Sequence, residues 1–263
     1  MSENCTLPDH LRAALASREA RNIRRALPPS TVPPIDFTSN DYLSLSSSRA
    51  LRTALLLRLG TTHAILGSGG SRLLVPAPAH AALEARLATF LRAPSALLFN
   101  SGFDANVSIL ASIPQPGDTV LLDAYAHASA HDGVRAARRG VRSASFAHND
   151  VRALRTALRE VAITGDGGSV FVFVESVYSM DGTIAPLKEV VACIGEELPR
   201  GNGYLIVDEA HATGVYGPRG RGLVAMLGLE DKVFARLHTF GKALAVTGGM
   251  CSCEYPLLIL LRN

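Results

Sequence analysis

The sequence predicts an α/β fold with a mostly parallel sheet and helices on both of its faces. Short apolar segments alternate with longer segments in which apolar residues recur at helical spacing. Strands separated by helices of this length are typical of right-handed βαβ units. Residues 169–174 moreover form a continuous apolar run, as expected for a strand that is buried on both faces.

The elements can be assigned in chain order. Residues 1–27 form a charged helical segment, which a group of prolines ends. The helices predicted after it are 51–59, 79–91, 104–113, 129–138, 151–161 and 186–198. The predicted strands are 96–99, 118–122, 141–146, 169–174 and 204–207. Either Asn149 or Asp150 caps the helix at 151–161.

Composition narrows the class of protein. The chain has 263 residues, enough to bury a large core, and 48% hydrophobic with 19% charged residues is typical of an ordinary globular protein. The net charge of +3 is too small and too scattered to indicate a nucleic-acid partner. No apolar run approaches the length of a membrane span, so we expect no membrane partner either.

The four cysteines show no paired spacing. This disfavours a disulfide framework and favours a reducing compartment, so we expect a cytoplasmic location, with a mitochondrial or peroxisomal address as the alternative. Cys251 and Cys253 form a C-x-C pair, which is only weak support for a metal site. We therefore expect no metal.

Two residues are candidates for a chemical role, one at the end of a predicted strand and one after a short apolar stretch, since ligands of open α/β sheets bind beyond the carboxyl ends of the strands. Asp208 ends a buried strand, where it either caps the next turn or pairs with a protonated pyridinium nitrogen, and His211 returns to the same face. Lys242 stands between Gly241 and Ala243, unlike a lysine on a charged surface helix. A lysine that bonds to a carbonyl requires such a desolvated position. Alone it is more often structural, and the combination with Asp208 favours a cofactor role.

Two further features follow other predicted strands. Ser101, Gly102 and Phe103 join a strand to a helix, where free N–H groups bind phosphate, and Thr239 could add a hydroxyl. A plain capped turn is the alternative. His127 could stack on a flat ring, although a lone histidine is more often a polar loop residue.

These residues lie in ordered runs that resemble the α-oxoamine synthase family of fold-type I pyridoxal-phosphate (PLP) enzymes. The matching runs are residues 40–43, 67–72, 101–103 with Asn106, 127–129, 148–150, 175–182, 208–214 and 239–243. The resemblance extends over almost the whole chain. Within the family, residues 67–72 and 148–150 are most similar to the biotin-pathway branch.

The resemblance implies roles for these residues. Lys242 carries PLP and acts as the general base, Asp208 pairs with the pyridine nitrogen, and His127 stacks on the ring. His211 and Ser179 approach the phenolic oxygen of the ring. Lys242, His127, Asp208 and His211 are thus the catalytic candidates. The remaining assignments are Ser101, Gly102, Phe103 and Thr239 at or beside the phosphate, and Asn40 and Glu175 on the substrate side.

The implied reaction is the decarboxylative condensation of an amino acid with an acyl-CoA thioester, which are alanine and a pimeloyl thioester in the biotin-pathway branch. Family members act as homodimers. Branches of the glycine C-acetyltransferase, 5-aminolevulinate synthase and serine palmitoyltransferase type are alternatives, as is a truncated pseudoenzyme without activity. A dinucleotide-binding role for residues 67–72 is disfavoured because the run does not join a strand to a helix.

The sequence departs from the family pattern at three places. Phe103 replaces a frequent Tyr, and Pro76 stands where Gly is expected. After Gly249 the pattern is lost, so we expect the small C-terminal domain to be missing. The predicted organisation is an N-terminal segment at 1–45, a PLP-binding large domain at 46–249 and a divergent, truncated tail at 250–263.

Overall fold

The structure is a computed structural model that describes residues 6–27, 35–63, 67, 69–75, 77–164 and 167–253. The chain divides into two compact units, Met1–Ser39 and Asn40–Asn263. The first contains helix α1 (Leu7–Ala20), which begins after Thr6, and the Thr6 N–H donates to the Asp9 carboxylate at 3.0 Å. Within the described ranges, no helix has the length and apolar character needed to cross a lipid bilayer. Residues 254–263 of the predicted tail, Ser68 and Pro76 lie outside the described residues.

A sheet forms the centre of the second unit. Its strands are β1 (Ser95–Phe99), β2 (Thr119–Asp123), β3 (Arg142–Phe146), β4 (Val170–Glu175), β5 (Gly203–Asp208), β6 (Ala235–Thr239) and β7 (Gly249–Cys253). Their spatial order is β1-β7-β6-β5-β4-β2-β3. Strand β7 is antiparallel to both β1 and β6, and the other strand pairs are parallel. The sheet is therefore mostly parallel, as predicted.

Helices precede and connect these strands. Helices α2 (Arg49–Gly60) and α3 (Pro78–Leu91) come before β1. The connecting helices are α4 (Gly102–Ser112), α5 (Ala128–Ala136), α6 (Val151–Thr164), α7 (Leu187–Glu197) and the short α8 (Leu223–Leu227). Asp150 rather than Asn149 caps α6, because its Oδ1 accepts hydrogen bonds from the N–H groups of Arg152 and Ala153 at 2.8 and 3.0 Å. These bonds satisfy N–H groups that have no partner inside the helix.

Side chains of the central strands alternate between two apolar clusters, one on each face of the sheet. On β4, Val172 and Val174 belong to the cluster covered by α6 and α7, whereas Phe171 and Phe173 belong to the cluster covered by α4 and α5. Full burial of one such side chain contributes about 1.5–3 kcal/mol. This two-sided burial explains the continuous apolar run at residues 169–174 and confirms the predicted α/β fold with helices on both faces.

The five predicted strands correspond to β1–β5, but β6 and β7 were not predicted. Their sequences include Arg236, His238 and Ser252, which are polar yet at most 3% exposed. Such strands lack the apolar run by which a buried strand is recognised. As a result Met250–Cys253, assigned from the sequence to the divergent tail, lie inside the sheet. The division of the large domain and tail remains a prediction for residues 254–263.

A buried carboxylate fastens the turn after β5 to α8. The oxygens of Glu209 accept hydrogen bonds from the N–H groups of Leu223 and Val224 at 2.9 and 2.7 Å and from the Ser176 hydroxyl at 2.9 Å. Burial raises the pKa of Glu209, against which these hydrogen bonds act. Gly222 precedes the helix with φ of 100°, and a Cβ there would lie 2.6 Å from the carboxylate. Residue 222 is therefore restricted to glycine.

Replacing Glu209 with Ala leaves the buried N–H groups of Leu223 and Val224 without an acceptor, whereas the Ser176 hydroxyl keeps the Asp208 carbonyl at 3.2 Å. We expect the free energy of unfolding to fall by about 3 kcal/mol or more, measured by urea denaturation. Glu189→Ala, on the exposed first turn of α7, is the matched control and should change it by less than about 0.5 kcal/mol. Equal effects of the two substitutions would contradict the anchoring role of Glu209.

Candidate active site

Polar side chains gather beyond the carboxyl ends of the parallel strands. Glu175 ends β4 and Asp208 ends β5, and the two are register partners on neighbouring strands. Lys242 follows β6 in a turn in which its carbonyl accepts a hydrogen bond from the Ala245 N–H at 2.8 Å. His127 follows β2 and caps α5. This is the edge of an α/β sheet at which ligands bind.

The amine of Lys242 lies against an imidazole. Its Nζ is 2.8 Å from Nε2 of His211, and the lysine side chain is half-buried. Burial lowers the pKa of Lys242, and the nearby carboxylates of Asp208 and Glu175 act in the opposite direction. A lowered pKa increases the neutral fraction of the amine, which is the form that attacks a carbonyl or accepts a proton.

His211 joins Lys242 to the segment that precedes α2. Its Nδ1 lies 2.7 Å from the hydroxyl of Tyr42, and that hydroxyl donates to Oδ1 of Asn40 at 2.9 Å. Burial first, and the charge of Lys242 second, lower the pKa of His211 to about 4, with Asp208 opposing. The imidazole is therefore neutral at neutral pH.

The Asp208 carboxylate is held by two donors and is only 5% exposed. Its Oδ1 accepts from the Ala210 N–H at 2.8 Å, and its Oδ2 accepts from Nδ2 of Asn106 at 2.7 Å. Nδ2 of Asn106 also donates to the Ser129 hydroxyl at 3.0 Å, and that hydroxyl lies 2.7 Å from Nδ1 of His127. A continuous hydrogen-bonded chain thus links Asp208 to His127.

The ring of His127 is oriented by this chain. Its Nδ1 also accepts a hydrogen bond from the Ser129 N–H at 3.2 Å, which requires the ring proton to be on Nε2. The Phe103 ring contacts it edge-on, with 6.0 Å between centroids and 85° between planes. Burial lowers the pKa of His127, the charge of Lys242 adds to this effect, and Asp208 opposes it.

Ser101, Gly102 and Thr239 meet where α4 begins. The Ser101 hydroxyl accepts from the Asp104 N–H at 3.0 Å and so caps the helix. A Cβ on Gly102 would lie 2.8 Å from Cβ of Thr239, so glycine permits β6 to end this close to α4. Hydroxyls beside the first N–H groups of a helix are suited to a phosphate.

Glu175 is a buried carboxyl group beside Asp208, with an exposed fraction of 2%. Burial first, and the charge of Asp208 second, raise its pKa to about 8, whereas the Ser179 N–H and Lys242 lower it. The Ser179 N–H donates to Oε2 at 3.2 Å. Glu175 is therefore mostly protonated at neutral pH and can act as a donor.

The structure thus brings some predicted site residues together more closely than others. Lys242 and His211 are in direct contact, and both interact electrostatically with Asp208 and His127. Ser179 contacts Glu175 only through its backbone, and its side chain is exposed. The sequence analysis gave no role to three residues that hold the site, although each lies in a run that matches the family; they are Tyr42, Asn106 and Ser129.

Comparison with known proteins assigns the family. The sequence model of the aminotransferase class I and II family matches residues 32–263. The chain belongs to this family. Within it, the resemblance to α-oxoamine synthases is confirmed by an 8-amino-7-oxononanoate synthase of Emericella nidulans, 50% identical over 94% of this chain. An aminoacyl transferase, sphA, of Aspergillus fumigatus is 46% identical over 82% of this chain.

Solved structures agree with the sequence relatives. A serine palmitoyltransferase of Sphingomonas wittichii has a TM-score of 0.80 at 28% identity and covers 98% of this chain and 66% of its own. An 8-amino-7-oxononanoate synthase of Francisella tularensis has a TM-score of 0.67 at 29% identity, with 86% and 60% covered. Another serine palmitoyltransferase structure, with a TM-score of 0.79, contains PLP. This chain spans 62% of the length of the Emericella relative and 47% of sphA.

The raised pKa of Glu175 predicts how the free energy of unfolding depends on pH. Its folded pKa of about 8 exceeds the ordinary value of 4.5. The stability that the bound proton contributes is therefore fully present below pH 4.5, decreases above that pH, and is lost as the pH rises through 8. Between pH 5 and pH 8.5, we expect the cofactor-free parent to lose a few kcal/mol of unfolding free energy relative to Glu175→Gln. Urea denaturation at both pH values measures this difference.

The control for this measurement is Glu189→Gln, which changes an exposed glutamate and should give the pH profile of the parent. If Glu175→Gln also follows the parent at every pH, Glu175 is ionised in the folded chain and the assignment is wrong.

Proposed function

We propose that this chain binds PLP through Lys242 and acts in the decarboxylative condensation of an amino acid with an acyl-CoA thioester. The contact of 2.8 Å between the Lys242 amine and the neutral imidazole of His211 carries the proposal. It gives the lysine an acceptor for one of its protons in a desolvated site. The membership of the chain in the aminotransferase class I and II family supports the same cofactor.

The residues present fit PLP. The buried Asp208 carboxylate is suited to a protonated pyridine nitrogen, because a buried anion needs a cationic partner in addition to its two donors. Ser101, Gly102 and Thr239 suit the phosphate, and the oriented imidazole of His127 suits the face of the ring. When bound, PLP supplies an electron sink for a carbanion at the amino-acid Cα.

The protein residues would then have separate roles in proton transfer and in binding. The amine of Lys242 would remove the proton from Cα of the amino acid, since its lowered pKa leaves more of the amine in the basic form. Asp208 would keep the ring nitrogen protonated. Glu175, with its pKa of about 8, would donate a hydrogen bond to a substrate oxygen.

For the substrates we propose alanine and a pimeloyl thioester, as in biotin biosynthesis. The support is the 50% identity with the Emericella 8-amino-7-oxononanoate synthase. The structural similarity to serine palmitoyltransferases keeps serine with a long acyl-CoA as the second candidate. We further propose a homodimer, which sedimentation equilibrium would test. The cytoplasmic location remains a prediction from the cysteine spacing.

Cofactor attachment can be tested sharply because the sequence contains only three lysines, Lys188, Lys232 and Lys242. After incubation with PLP and reduction with borohydride, we expect mass spectrometry to find the label on Lys242. Lys242→Ala should abolish the label and the visible absorbance of bound PLP. Lys188→Ala and Lys232→Ala, both exposed, should retain them. Label on Lys188 or Lys232 alone would refute the proposed site.

The reaction is tested by release of free thiol from the acyl-CoA. We expect the chain with PLP to release CoA from pimeloyl-CoA when alanine is supplied, and Lys242→Ala to reduce the rate by at least about 100-fold, since it removes the base. Turnover only with serine and palmitoyl-CoA would reject the biotin assignment. Absence of turnover with alanine, glycine and serine in a PLP-loaded chain would reject the synthase activity.

A further inference from the structure

Tyr42 has no role in the function proposed above, yet it contacts the histidine next to Lys242. Its hydroxyl oxygen lies 2.7 Å from Nδ1 of His211 and 2.9 Å from Oδ1 of Asn40. Both distances are within the range of strong hydrogen bonds. The Tyr42 side chain is 47% exposed, so burial of apolar surface alone does not account for its position.

The directions of these bonds follow from the number of protons available. A tyrosine hydroxyl has one proton, and the amide oxygen of Asn40 can only accept, so the hydroxyl donates to Asn40. The hydroxyl must therefore accept from His211, and the imidazole proton lies on Nδ1. Partial burial raises the pKa of Tyr42, which keeps the hydroxyl protonated.

The proton on Nδ1 determines whether the other ring nitrogen, Nε2, donates or accepts a hydrogen bond. A neutral imidazole carries one proton, so Nε2 of His211 has a free lone pair. That nitrogen lies 2.8 Å from Nζ of Lys242, which always has a proton to donate. In the other tautomer, Nε2–H would point at the protons of the ammonium group and repel the charged lysine.

We propose that Tyr42 is a positioning residue that fixes the tautomer of His211, with Nδ1 protonated and Nε2 accepting from Lys242. Tyr42 acts through His211, and Asn40 orients the Tyr42 hydroxyl. The tautomer is a property of this chain without cofactor, whereas its benefit for catalysis by Lys242 rests on the proposed function.

Nitrogen NMR of ¹⁵N-histidine-labelled protein tests the tautomer directly, because protonated and unprotonated ring nitrogens resonate in separate ranges. In the cofactor-free chain at pH 7, we expect His211 to have a protonated Nδ1 and an unprotonated Nε2. Tyr42→Phe removes the acceptor and should shift the ratio of tautomers towards Nε2–H by about fivefold, the value of one hydrogen bond. The His211 signals are assigned by their loss in His211→Gln.

Tyr125→Phe is the matched control, since Tyr125 is also half-exposed and stacks on a different histidine, His148, with 4.0 Å between ring centroids. It should leave the His211 signals unchanged. Asn40→Ala is a second variant, at an exposed residue, that keeps the Tyr42 ring. It frees the hydroxyl to donate to Nδ1 and should shift the ratio in the same direction as Tyr42→Phe. A parent chain with Nε2 protonated, or an unchanged ratio in both variants, would overturn the proposal.

PLP labelling separates this proposal from the proposed function. If the parent has the expected tautomer but Lys242 takes no PLP label, the function fails and the tautomer assignment stands. If the parent is labelled on Lys242, we expect Tyr42→Phe to be labelled as well but more slowly, and Tyr125→Phe to match the parent. An equal labelling rate in Tyr42→Phe would show that Tyr42 does not influence the lysine.

Discussion

The hydrogen bond from Asn106 to the buried carboxylate of Asp208 is the constraint on which the arrangement of the site depends. Transfer of an ionised carboxylate out of water is costly unless donors replace the lost hydration. Asn106 lies on α4 and Asp208 lies 102 residues later, at the end of β5, so the bond joins distant parts of the chain. Because Asn106 also donates to Ser129, it fixes α4, α5 and β5 relative to one another.

Desolvation then acts on the neighbouring groups in opposite directions. It lowers the pKa values of Lys242 and His211, where the charged form is a cation, and it raises that of Glu175, where the charged form is an anion. The shifts of all three pKa values thus favour the neutral forms, while the Asp208 carboxylate lies buried beside them. A site of this kind favours a ligand that brings its own positive charge to Asp208.

Most of the layered fold was predictable because buried parallel strands and amphipathic helices leave clear patterns in the sequence. β6 and β7 left no such pattern, since Arg236, His238 and Ser252 occupy buried positions that apolar residues usually fill. At the site, residues at strand ends such as Asp208 were recognised from their position. Tyr42 was not, because its contact with His211 joins residues 169 positions apart and no local spacing reports such a pair.

The position of β7 has a consequence for folding during synthesis. Among the described strands, β1 pairs only with β7. Its first residue, Ser95, pairs with Cys253, which is synthesised 158 residues later. Until then, the edges of β1 and β6 that β7 will occupy are unpaired, and such edges are sites of aggregation. The parallel strands can assemble first on the ribosome, but β7 can pair with β1 and β6 only after residue 253 has emerged. Association between nascent chains would therefore begin at these two edges rather than on the parallel part of the sheet.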